Sequence, residues 1–174
     1  MMKKTFAMLL AAALLLSFAA IASAEKYGLD MVTSFSSVAD AGEKNGSVQV
    51  NTMTCSLVLD DEGKIVSALF DVQQSKVQFT AEGKVVDLPE TLKSKMELGA
   101  DYGMAKASAI GKEWFEQSEA FSAFCLGKNP EEVLNLLLNT NNPDAPELID
   151  LKTSVTIGTA DFLAALEKAA ANAK

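Results

Sequence analysis

The sequence predicts an α+β fold, an antiparallel sheet built from N-terminal hairpins with helices packed on one face. Three observations carry that expectation. Apolar and polar residues alternate with a period of two between residues 28 and 72, broken by turn chemistry. The period lengthens after Pro89. Asn129-Pro130-Glu131-Glu132 is then a helix start, with a cap, a proline in the first turn and two acids at the positive dipole end. Hairpins first and helices afterwards make a sheet with a helical layer on it.

The elements follow in order. Gly28 to Val38 sets Leu29, Met31, Thr33 and Phe35 against polar neighbours, the pattern of a half-buried strand. Ala39 to Ser47 is a polar turn. Val48 to Leu59 is a second strand whose apolar phase moves between Val50 and Met53, as a bulge or an edge requires. Asp60-Asp61-Glu62-Gly63-Lys64 is hairpin chemistry, since Gly63 can take a positive φ. Ile65 to Val72 returns with Val66, Ala68, Phe70 and Val72 on one face, and Lys76–Phe79 with Lys84–Val86 forms a further short pair. Glu90 to Leu98 is a short helix ended by Gly99. Trp114, Ser118, Phe121 and Cys125 then recur at helical steps, and Gly127 stops that helix. The next runs through Val133 to Leu138 into a loop with two prolines. The last spans about Ala160 to Ala171, with Phe162, Leu163 and Leu166 as its contact stripe.

The first 24 residues predict export. Lys3 and Lys4 precede an apolar run from Phe6 to Leu16, and Ala22-Ser23-Ala24 offers small residues to a signal peptidase. The run is shorter than the ~20 residues a membrane helix needs, and Glu25 stands where a lipoprotein would carry cysteine. The expectation is cleavage after Ala24 and a secreted or envelope-located single domain, residues 25–174, with no stable membrane insertion. Removing Lys3 and Lys4 from a chain of net charge −8 leaves −10. Such a chain repels nucleic acid and anionic membranes.

The absences exclude more. The sequence has no His and no Arg. It therefore lacks an imidazole base, an imidazole metal ligand and a guanidinium clamp, and an autonomous enzyme is not expected. Cys55 and Cys125 both sit on apolar stripes, where a bridge and two buried thiols are both open. Leu88-Pro89-Glu90-Thr91-Leu92 lacks the glycine of a wall-sorting signal, and Asp60-Asp61-Glu62 lacks the ligand spacing of a calcium loop. Trp114, Phe115, Phe121 and Phe124 read as core rather than as a stacking platform.

The stretch Asp150-Leu-Lys-Thr-Ser-Val-Thr156, followed by Thr159 and an amphipathic helix, remains. It resembles the flavin-carrying segment of the secreted FMN-binding domain family, shared by the sodium-pumping NADH:quinone reductase and related ion-translocating complexes. The whole layout is also similar to secreted proteins of anaerobic Gram-positive bacteria. The family pattern is D-x-x-(S/T)-G-A-(S/T). Asp150 matches the acid, Thr153 the first hydroxyl and Thr156 the residue esterified through the FMN phosphate. Ser154 stands for the family's Gly and Val155 for its Ala. The resemblance implies a non-catalytic domain carrying covalent FMN on Thr156 for envelope electron transfer. Asp150, Thr153, Ser154, Thr156 and Thr159 would make the cofactor site, and a flavin transferase and envelope redox partners would be its partners. Phosphate would then be held by amides at the last helix start and by hydroxyls. The altered motif leaves a second expectation, a secreted interaction or ligand-binding module with no prosthetic group.

Overall fold

The computed structural model describes residues 25–86, 88–138 and 146–174. The leader expectation for residues 1–24 lies outside them, as does most of the proline loop. Four strands, β1 (Lys26–Ala39), β2 (Gly46–Leu59), β3 (Ile65–Phe79) and β4 (Val85–Val86), form an antiparallel meander in chain order. Five helices follow: α1 (Lys95–Leu98), α2 (Trp114–Cys125), α3 (Pro130–Leu138), α4 (Pro146–Ser154) and α5 (Ala160–Asn172). The predicted α+β class is the observed one. Among the described residues no helix is long and apolar enough to cross a membrane.

The core lies between one sheet face and the helices. Met53, Cys55, Leu57 and Leu59 of β2 and Ala68, Phe70 and Val72 of β3 point into it. From α2 come Trp114, Phe121 and Cys125, and from α5 come Phe162, Leu163, Leu166 and Ala169. Phe162 is the hub, its ring centroid 5.0 Å from Phe121, 5.1 Å from Phe70 and 5.8 Å from Trp114. The aromatic stripe of α2 is thus core, as its spacing predicts. Both cysteines are free and buried. The thiols are pushed up to about 12, chiefly by burial, and Cys55 also feels Cys125.

Three local expectations are corrected, and one helix is added. Leu29, Met31, Thr33 and Phe35 do not face the core; they face solvent on the opposite side of the sheet. The inward phase is Gly28 and Val32, because α5 lies directly on Gly28. A Cβ there would meet the Ala169 carbonyl oxygen at 2.1 Å, so the absence of a side chain sets the strand's phase. β2 keeps one phase through Val50–Met53; the register shifts fall at Phe35/Ser37 and Val58/Leu59. That second shift makes Val66 the extra residue of a bulge, so Ile65 turns inward and Val66 outward. The helix α4, which ends at Ser154, lies in a stretch for which the sequence pattern predicts no element. Leu148 and Leu151 hold α4 on the core.

The sheet edge at β1 is closed by the other end of the chain. The Tyr27 amide donates to the Lys174 carbonyl at 3.0 Å, and the Lys174 amide donates to the Tyr27 carbonyl at 3.2 Å. Lys168 Nζ pairs with Asp30 at 2.9 Å and donates to the Met31 carbonyl. The ion pair holds the Asp30 carboxyl below the usual carboxylate range, the Lys168 hydrogen bond being the largest cause.

Candidate functional site

The stretch Asp150–Thr159 joins the last turn of α4 to the start of α5. Asp150 is exposed on α4. Thr153 Oγ1 donates to the Asp150 carbonyl at 2.7 Å, and Ser154 Oγ donates to the Leu151 carbonyl at 3.2 Å. Both hydroxyls therefore close the helix's own carboxyl end. Val155, in the place of the family's alanine, is buried in the core. Its bulk anchors the chain between two helices.

Thr156 is exposed, yet its polar atoms are taken. Its amide donates at 2.8 Å, and its hydroxyl lies at 3.1 Å, to Oε1 of Gln117 on α2. The Ile157 amide donates to the same oxygen at 3.2 Å. Gln117 is fully buried, and its Nε2 donates to Ser108 Oγ and to the Lys112 carbonyl, each at 3.2 Å. One glutamine thus takes the Thr156 and Ile157 amides, which lie ahead of the first turn of α5. Thr159 is the cap residue of α5, in a helical conformation, with no side-chain cap bond. Asp161 fills the first turn with negative charge. That charge complements the dipole and opposes a phosphate.

The five residues are not brought together as a cradle. Asp150 and Ser154 line an open hollow of about 310 Å³ with Ala120, Phe124, Lys128 and Leu151. Thr156 and Thr159 are not part of it. Lys128 Nζ there donates to the Phe124 carbonyl at 2.6 Å and sits 4.4 Å from the Phe124 ring centroid. In this arrangement the Thr156 hydroxyl and the Thr156 and Ile157 amides serve Gln117, so a flavin phosphate esterified there would have to displace the hydroxyl's contact. Among the described residues no group of three His, Cys, Asp or Glu could hold a metal.

A larger concavity, about 500 Å³, runs between β3 and α2. Val66, Leu69, Met96 and Leu126 line it, with Asp71 and Glu119 among its residues. Leu69 also belongs to the solvent side of the sheet. That side carries Tyr27, Leu29, Met31, Phe35 and Leu69, with Leu29 62% and Phe35 73% exposed. The sequence shows these residues plainly but not which way they face; Gly28 is the signal that decides it. Gln117 is not singled out by the sequence; its one signal is that it stands with Ser118 as a polar residue between Trp114 and Phe121. Compared with protein-family models, curated proteins and solved structures, the chain matches none.

Proposed function

We propose that this chain is an exported interaction module that works without a prosthetic group and receives its partner on the uncovered face of its sheet. The observation that carries the reading is the exposure of five large apolar side chains on a sheet face whose other side is already packed. Contiguous exposed apolar surface of this kind marks interaction sites in soluble proteins. An environment-sensitive apolar dye is expected to bind the folded chain and to lose binding in the Leu29→Lys/Met31→Lys variant at unchanged thermal stability. Equal dye binding by both proteins would reject the docking face.

The flavin-carrier reading stands second, favoured by the surface position of Thr156 directly ahead of the final helix. FMN would supply electron-transfer chemistry, and the protein would supply attachment. Co-expression with a flavin transferase and weighing of the intact mature chain separates the two. The expected mass is that of residues 25–174 alone, with Glu25 as the first residue. A gain of one flavin phosphate ester, lost in Thr156→Ala, would make the chain an envelope electron carrier instead.

A further inference from the structure

We infer that the partner received on this face is a second copy of the chain, the two sheets packing β1 ridge into β2 valley about a two-fold axis. The inference rests on the docking-face reading above and names its occupant.

The shape of the face is the first argument. The outward positions of β1 carry the large side chains Tyr27, Leu29 and Met31. Beside them on β2 stand three small hydroxylated residues, Ser56 paired to Leu29, Thr54 to Met31 and Thr52 to Thr33, bounded by Val58 opposite Tyr27 and Val50 opposite Phe35. The Thr33 and Thr52 hydroxyls lie 3.1 Å apart, which fixes both strands to the same face. The result is an apolar ridge one strand wide beside a shallow trough one strand wide. A two-fold axis in the interface plane, between β1 and β2 and along them, lays the ridge of each copy in the trough of the other. A self-complementary patch of this kind is what an isologous dimer requires, and aligned sheets pack face to face in this way.

Charge is the second argument. Of the outward positions along Tyr27–Phe35, Val50–Val58 and Ser67–Ser75, Asp71 alone is ionisable to a carboxylate and none carries a cation. Asp71 Oδ1 already accepts from the Val72 amide at 2.7 Å and the Met96 amide at 3.1 Å. A cationic partner would be drawn to the acidic remainder of the surface. At the end of the ridge the Glu25 carboxylate accepts from the Tyr27 hydroxyl; between there and Asp71 a second copy, equally acidic, can approach closely where charge is sparse. The predicted salt response is therefore specific: association strengthens as salt screens the like net charges, whereas a cationic partner would be released.

Area sets the strength. At about 3.4 Å per residue and about 4.8 Å per strand, Tyr27–Phe35 across the two overlapping strands, β1 and β2, covers roughly 30 Å by 10 Å. That is about 300 Å² in projection, at the small end of an interaction patch and well below the ~800 Å² per partner of a standard stable complex. The dimer is weak and concentration-dependent.

Sedimentation of the exported chain from about 1 µM to about 1 mM tests this, across the range in which interfaces of this size dissociate. The weight-average mass is expected to rise toward twice the monomer, with a midpoint that falls as salt increases. Met31→Lys, which charges the ridge, and Thr54→Trp, which fills the trough, should each raise the midpoint about tenfold or more, while Ile149→Lys on α4 leaves it unchanged. Circular dichroism checks that each variant is folded. A dimer that survives both face variants uses another surface and overturns the inference. A monomer at every concentration overturns it too. If that monomer still binds the apolar dye through Leu29 and Met31, the docking face stands with a different occupant; if it does not, both readings fall.

Discussion

Gln117 is the residue on which three segments converge. Its oxygen serves the Thr156 and Ile157 amides and the Thr156 hydroxyl, and its nitrogen serves the 108–112 segment. Gln117→Ala removes the shared acceptor and donor of these groups and empties the buried space its side chain fills. The expected cost is about 2–4 kcal/mol in urea unfolding. Gln117→Glu keeps the acceptor and loses both donations while burying a charge, so its deficit should shrink as pH falls and the carboxyl becomes protonated. A deficit independent of pH would show that the side chain reaches water. The hydroxyl cluster of Asp150–Thr159 was legible in sequence as residue types, but not as a site. Whether a hydroxyl is offered outward depends on an acceptor 39 positions away in the chain, and no local pattern records that distance.

Among the elements, β1 and α5 depend on each other most. The helix lies against the strand because Gly28 has no side chain, and the Ala169 carbonyl occupies the space a methyl would need. Gly28→Ala should therefore displace the C-terminal turn of α5 from the edge. Amide exchange at Tyr27 and Lys174, whose backbones pair, should accelerate at least about tenfold, and stability should fall by about 1–3 kcal/mol as with other overpacked positions. Unchanged exchange would mean that Lys168 and Asp30 hold the edge unaided. The hairpins, the Gly63 turn and α2, α3 and α5 were readable from period and punctuation. The face of β1 was not, because alternation gives two phases and the more apolar one is not obliged to be the buried one. α4 was missed because its contact surface is narrow, Leu148 and Leu151 amid polar neighbours.

At the scale of the molecule, sheet and helices share one core, and both thiols lie in it. Their values stand near 12 against an ordinary 9.0, so the folded state holds the protons that the unfolded chain releases first. The thiols' contribution to stability is complete below pH 9 and declines as pH rises toward 12. Denaturant midpoints measured from pH 8 upward should fall in that window. In Cys55→Ala/Cys125→Ala the fall should be smaller, from a lower starting stability. An equal fall in both proteins would assign it to other groups. The acidic balance and the missing His and Arg were readable at once and still constrain the chemistry, while the docking face needed three strands in register before it could be seen.

The pairing of Tyr27 with Lys174 joins the first strand to the last residues of the chain. A fragment that stops short of α5 would leave the sheet's first strand without its lateral seal and would strip Phe162 from the aromatic cluster. Such a truncated product is expected to expose both the β1 edge and the core, and limited proteolysis should cleave it faster than the chain that keeps α5.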